Sequence, residues 1–471
     1  MVLKFRDDKL LADENDVFYF DQQSDEIIDE KELGELISVH SRNVVRRFNK
    51  LMRYYLGKHS ILNKQSKSKG KPDNRIIINF AKEIVDNEVG YFAGTPVKFD
   101  YDENGVSNNE IDKRIADFVN INMLSDTVAE LAKQVDIFGR ANVLLYQDED
   151  ASTLVKPIDP RQSFIVYDTS INKNKLFGIY YNQIKRNGTV RGVLYTKTQC
   201  FEFTGNTSGE IIMGDAIDNV FQDVPLVEFY ASVERQGLFE QVISLIDSVE
   251  QAFSNKNNDI DYFANTIMKI VNAAIKQEDV EAMIDKRLLN VKSVSGEGGG
   301  VDIDFLNKPD ADNIQEHFLE RAIDFIYSKS NSANFNDEVF GNASGTALEF
   351  KLQSMSNAAG MKERKFKTAL KQVFKLAFQV GATLPYAPGA EKNISMTFKR
   401  TIPHNVQDEA NTAKTLLDVT DEHTALSALS IVDDPDAVIE AKKNDQSGKA
   451  ENMLDMIKQT ESSDNNTSDK E

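Results

Sequence analysis

The sequence predicts an α+β fold, mainly helical, and three observations carry that reading. Thr346 to Val380 holds no Pro and a single Gly. Its apolar residues, Leu348, Leu352, Met355, Ala359, Phe366, Leu370, Val373, Ala377 and Val380, advance in steps of three, four and seven along one helical face. Between Ala141 and Tyr230 the apolar period drops to two, and β-branched and aromatic residues dominate. After Leu238 the helical period returns. At 471 residues the chain exceeds one ordinary domain, and roughly two to four structural units are expected.

Charge and composition narrow the function classes. A net charge of -20 argues against gripping nucleic acid by neutralising phosphates, although not against letting DNA slide past. Cys200 is alone, which excludes a disulfide framework and a cysteine metal site. No apolar run approaches membrane-spanning length and the N-terminus has no signal h-region, so a soluble protein, cytosolic when made and without a membrane partner, is expected. Residues 1–36 hold twelve acids against four bases, whereas residues 40–75 hold eleven Lys or Arg against Asp73 alone. Both blocks can be solvated surface. Alternatively, the acidic arm of one subunit meets the basic block of a neighbour and steers assembly.

Taken in order, Glu30 to Tyr55 reads as one amphipathic helix through Leu33, Leu36, Ile37, Val44, Phe48 and Leu51, stopped at Gly57. Residues 58–73 form a basic loop, and Asp73 is expected to cap a helix running through Ile77, Phe80, Ile84 and Val89. A further helical stretch spans Glu110 to Phe138. Six strands are then predicted: Asn142 to Tyr146, Leu154 to Ile158, Phe164 to Tyr167, Phe177 to Asn182, Val190 to Tyr195 and Cys200 to Phe203.

A helix from Leu238 to about Ile270 follows, polar on every face at Ser254 to Asp259, so it must lie there against another polar helix or solvent. Residues 271–309 read as a small unit with helical character at Val280 to Leu289 and short strands flanking the turn Ser295-Gly-Glu-Gly-Gly-Gly300. That turn lacks the Lys-Ser/Thr of a phosphate-binding loop. A helix over Ala311 to Ser330 leads to a polar loop at 333–345. The long helix comes next, with Thr346 and Glu349 as a capping box and Gly381 as its stop. Ile394 to Arg400 is strand-like, three short helices are expected between Val406 and Lys443, and the acidic end should be disordered.

Two strings carry a resemblance. One is Asn342-Ala-Ser-Gly-Thr-Ala-Leu-Glu-Phe-Lys-Leu352 with the basic turn Lys362 to Lys367 and Phe366. The other is Lys71-Pro-Asp-Asn-Arg-Ile-Ile-Ile-Asn-Phe-Ala-Lys-Glu-Ile-Val-Asp-Asn-Glu-Val-Gly-Tyr-Phe-Ala-Gly-Thr-Pro-Val97, whose ending from Gly90 to Pro96 is the most family-like piece. With them the chain resembles, over about residues 30–445, the portal proteins of long-tailed double-stranded DNA bacteriophages. Tyr167-Asp168 and Pro157 to Pro160 look like the same family, whereas Ala231-Ser-Val-Glu-Arg235 stands where relatives often have an Asn-rich turn.

The resemblance implies a portal-type fold: an α/β wing (30–236), helical stem (237–270 and 311–332), small α/β clip (271–310), tunnel loop (333–345), long spine helix (346–381), a strand segment of the wing (382–403) and a helical crown (404–445). An acidic arm (1–29) and an acidic tail (446–471) flank it. It also implies a ring of about twelve subunits in the virion at one capsid vertex, assembled in the host cytoplasm. The implied partners are terminase, the major capsid and scaffolding proteins, a head-completion adaptor, and double-stranded DNA passing through.

Three candidate sites follow. Asp312, Glu316, Glu320 and Asp324 recur every four residues and would line a channel, unless they are merely a solvated face. Glu297, Gly298, Gly299 and Gly300, at the tip of the helical hairpin, would meet the packaging motor. In the loop, Phe335, Asn336, Asp337, Glu338, Phe340, Gly341 and Asn342 would touch DNA without gripping it. Phe335 and Phe340 either narrow the aperture or anchor the loop. No catalytic, cofactor or metal residues are expected: the five His have no ligand spacing, and no Gly-x-Ser-x-Gly, phosphate-loop or dinucleotide motif is present. A capsid-associated scaffold or adaptor without a channel fits the composition equally, and a nucleic-acid-processing enzyme is a more distant alternative.

Overall fold

A computed structural model describes residues 5, 7–21, 28–65, 72–102, 109–184, 188–263, 268–271, 302–305, 312–335, 345–400, 406–429, 431–432 and 435–443. The chain divides into one unit of residues 1–334 with 352–401 and a second of 335–351 with 402–471.

In the first unit, β1 (Leu10–Ala12) and β2 (Phe18–Phe20) form a hairpin. β2 runs parallel to β6 (Ser163–Asp168), and β7 (Lys175–Gln183), β8 (Thr189–Tyr195), β9 (Gln199–Asn206) and β10 (Ile211–Asp218) complete a seven-stranded sheet in the order β1-β2-β6-β7-β8-β9-β10. The acidic segment expected as an arm toward a neighbour is therefore, over residues 7–21, part of its own subunit's sheet. Phe18 and Phe20 are buried on one face, and Asp16 pairs with Arg47 of the same chain at 3.1 Å.

The first expected helix is continuous but not uniform. α1 (Glu30–Val39) opens on a reciprocal capping box between Asp29 and Glu32. A π turn at His40–Val44 then leads into α2 (Val45–Tyr55). The wider turn places His40 inside the sheet core, with Nδ1 2.8 Å from the Tyr181 hydroxyl and its ring 4.5 Å from that of Phe164. α1 also lies against the β9–β10 turn so closely that a Cβ on Gly34 would stand 2.0 Å from the Gly209 carbonyl oxygen. Only glycine fits there.

Asp73 does not cap the next helix. α3 (Phe80–Ala93) begins seven residues later, where the Asn79 side chain accepts from the Lys82 N–H at 3.1 Å. The stretch expected as one helix from 110 to 138 is broken into α4 (Asn109–Ile121) and α5 (Leu124–Phe138). Met123 takes a left-handed φ of 44° at the break, and buried Asn122 turns its amide onto the Thr153 carbonyl and the Val155 N–H. A second, three-stranded sheet follows in the order β11 (Leu226–Tyr230), β4 (Arg140–Gln147), β5 (Thr153–Ile158). All six predicted strands are present. β10 and β11 were not among them, and neither was β3 (Lys98–Tyr101), which pairs with β14 (Ile394–Thr397).

α6 (Ile243–Phe263) ends earlier than the pattern suggests, and β12 (Met268–Val271) begins inside the span assigned to the stem. β12 pairs antiparallel with β13 (Asp302–Phe305). α7 (Asp312–Lys329) brings the chain back. α8 (Gly345–Val380) is 36 residues long, about 54 Å at 1.5 Å per residue. Its predicted face is buried from Leu352 through Ala377, and Gly381, at φ 72°, ends it in the left-handed conformation.

In the second unit, α9 (Val406–Leu417) and α10 (Glu422–Ser427) pack through Ala413 and Ala425, and residues 435–443 are helical. The Asp421 carboxylate caps α10 by accepting from the Thr424 N–H at 2.9 Å, and Lys442 pairs with Glu422 at 2.5 Å.

Candidate functional site: the stem helices and the hub that holds them

The outward and returning helices α6 and α7 pack side by side, and Lys256 of α6 forms an ion pair with Glu316 of α7. α7 buries Leu319, Ala322, Ile326 and Tyr327. At 100° per residue, Glu316, Glu320 and Asp324 lie roughly a third of a turn to one side of that face, and Ile314, Phe318 and Phe325 roughly a third of a turn to the other. Both sets are exposed, the three apolar residues by 75%, 48% and 51%. The structure thus brings three of the four stripe carboxylates onto one exposed flank, with Glu316 already engaged by Lys256 and Glu320 3.5 Å from His317. The side chain of Asp312, the clip residues Glu297 to Gly300 and the loop residues Asn336 to Asn342 lie outside the described residues. Phe335, the one DNA-contact candidate of the loop inside them, is half-buried.

The residues before α3 supply what the polar stretch of α6 needs. Residues 74–78 run extended along α6, and Glu250, Ser254 and Asn258, each four residues apart, accept from the backbone N–H groups of Ile78 (3.1 Å), Ile76 (2.9 Å) and Asn74 (2.6 Å). Two residues of extended chain advance about 6.6 Å and four residues of helix about 6 Å, so alternate amides meet successive turns. On one side, therefore, the partner of the polar stretch is a strap of backbone, while Lys256 reaches α7 and Asn255 faces solvent, as the sequence leads one to expect. His59 joins this ladder: Nδ1 lies 2.5 Å from Glu250 Oε1 and Nε2 2.8 Å from the Tyr54 carbonyl, with both side chains wholly buried. Burial alone would depress the imidazolium, but the bonds to Glu250 and the Tyr54 carbonyl, with the charges of Glu250 and Asp247, together outweigh it and hold the His59 pKa above its ordinary value.

α3 continues from this strap to both other long helices. Its Glu83 accepts from the Tyr327 hydroxyl of α7 at 2.8 Å. At its far end the Phe92 ring draws two cations, Lys362 Nζ at 4.6 Å and the Arg400 guanidinium at 5.2 Å from the ring centre, with Phe366 and Phe398 each 5.2 Å away. Lys362, 2% exposed, donates to both Asp136 oxygens at 2.8 and 2.7 Å. The two strings that carry the family likeness therefore meet in space: Phe92 belongs to one, Lys362 and Phe366 to the other. Sequence reasoning marked the strings without their junction, and it passed over Glu88, His59 and Glu250, because each is fixed by partners distant along the chain.

Glu88 is buried beside this hub, and burial pushes its carboxyl up to about 8, with Lys362 and Arg400 opposing and Asp136 adding to the rise. It is therefore mostly protonated at neutral pH, leaving Lys362 with Asp136 and Arg400 with Glu363 as balanced pairs. A raised carboxyl pKa binds the proton more tightly in the folded state, so stability falls as pH rises from 4.5 toward 8. Glu88→Gln is expected to remove that decline, a slope of up to about 1.4 kcal/mol per pH unit, in urea melts taken across the interval. An unchanged slope would show that Glu88 ionises freely.

Among the described residues no group of three or more His, Cys, Asp or Glu could hold a metal ion, and no helix is long and apolar enough to cross a membrane. Residues 35–452 match the family described as "Phage portal protein, SPP1 Gp6-like". The chain is 25% identical over 421 residues to the portal protein of Clostridium phage phiCD119, covering 81% of this chain and 89% of that protein. It is 23% identical over 419 residues to the portal protein of Bacillus phage SPP1, covering 82% and 79%. A match across most of the chain, in a protein whose two most family-like strings meet in one packed hub, shows that it belongs to the SPP1 Gp6-like family of phage portal proteins.

Proposed function

We propose that this portal protein closes into a ring of about twelve copies at one capsid vertex, with double-stranded DNA entering and leaving along the axis. The family is structural and not catalytic. The observation that carries the reading is the two-flanked returning stem helix. Its exposed Ile314, Phe318 and Phe325 form an apolar strip of the kind that marks a protein interface. A ring covers one face of each subunit with a different face of the next, so the strip is covered by a neighbouring copy. The acidic flank then faces the axis, where repeated carboxylates repel phosphate and let DNA pass without adhering.

In this scheme the unit between β12 and β13 docks terminase during filling and a head-completion adaptor afterwards. The wing meets the major capsid and scaffolding proteins, and the loop at 333–345 touches DNA. Because Glu316 is engaged by Lys256, the sharper test of the channel is Glu320→Lys with Asp324→Lys. Rings are expected to form normally while packaged DNA falls by about an order of magnitude. Normal packaging by the double variant would remove these carboxylates from the channel.

A further inference from the structure

Apart from the stem and hub, the first unit holds a cleft of about 740 Å³ where the N-terminal hairpin, β7, the chain around β11 and the last turns of α8 converge. Five cationic side chains and three carboxylates line it, in a protein of net charge -20. The carboxylates are all committed. Asp13 accepts from the Asn15 and Val17 N–H groups and the Tyr19 hydroxyl, Asp223 from Lys375 and the Val224 N–H, and Glu228 from Arg235 twice and the Tyr167 hydroxyl. Three of the cations are not matched in this way. Among the described residues, Lys175 donates only to the Leu226 carbonyl at 3.1 Å and Lys173 only to the Tyr19 hydroxyl at 2.9 Å, while the exposed Lys197 ammonium has no partner.

We propose that this cleft binds an acidic peptide segment of a partner protein, whose carboxylates are taken up by Lys173, Lys175 and Lys197. A single small oxyanion would occupy little of the space, whereas volumes of this size suit larger ligands. The remaining walls also match a polypeptide. Gln222, Gln372 and Gln379 offer amides to a main chain, and the half-buried Tyr167 and Tyr230 offer ring surface to apolar side chains beside the acids. Burial pushes the Lys175 ammonium down to about 8, opposed by the charges of Asp223 and Glu228 and aided by Lys375, so those carboxylates offset its burial only in part and one placed directly beside it would favour the ammonium further. The chain's overall negative charge works against acidic peptides elsewhere on its surface, which makes the cleft selective by contrast.

The test is fluorescence anisotropy of a fluorescein-labelled hexaglutamate peptide with the purified full-length protein at low salt. Saturable binding that weakens with added salt is expected, with at least about tenfold lower affinity in Lys197→Glu and in Lys175→Met. Lys197 is exposed, so its variant keeps the test valid even if Lys175→Met fails to fold. Absence of binding, or equal affinity in Lys197→Glu, overturns the proposal. Displacement of the peptide by inorganic phosphate at matched ionic strength would make the cleft a small-oxyanion site and overturn the peptide assignment.

Discussion

Replacing Lys362 with Met is expected to cost the folded subunit about 3–5 kcal/mol. Met matches the length of the lysine stem and can still pack on Phe92 and Phe366, so little of the loss comes from packing. The cost comes from Asp136, which is 3% exposed and loses both of its charged contacts at once. Adding Asp136→Leu removes the stranded carboxylate, and the double variant is expected to be more stable than Lys362→Met alone. Urea denaturation of the three proteins measures this. A double variant no better than the single one would show that the lysine acts through its packing on the rings and not through the ion pair.

The second large effect is expected at Glu250. Glu250→Ala leaves the His59 Nδ1 and the Ile78 N–H buried without their partner, at a cost of about 3–5 kcal/mol. Hydrogen exchange should locate the damage, with the Ile76 and Ile78 amides losing protection before those of α8. The His59 pKa is raised in the folded state, so the pair's contribution is complete below pH 6.5 and fades as pH climbs past the raised value. The penalty for Glu250→Ala should therefore shrink toward alkaline pH. A uniform loss of protection across the unit would mean that the strap is not a separate clamp on the stem.

The elements legible in the sequence were those whose signal is local. The spine's face, its Gly381 stop and six strands each show in their own period, because burial on one side imposes it. The N-terminal hairpin was hidden by its acids, although Phe18-Tyr19-Phe20 alternates as a strand should. What local sequence could not reveal was set by tertiary pairing. Asn79 displaced Asp73 as the cap because residues 74–78 were held extended on α6, and the 110–138 helix broke where Asn122 bonds to β5. For the candidate sites, helical spacing foretold the exposed carboxylate flank of α7, but not that Lys256 engages one of its members. The apolar flank beside it was also missed, because Ile314, Phe318 and Phe325 are spaced like core residues.

Negative-stain electron microscopy of the purified, full-length protein tests the ring most directly. Closed rings with a central hole are expected, and Phe318→Lys with Phe325→Lys should leave monomers whose circular dichroism is unchanged. Solid or open assemblies in the unaltered protein, or rings that form equally well in the double variant, would contradict a channel closed through the apolar flank of α7.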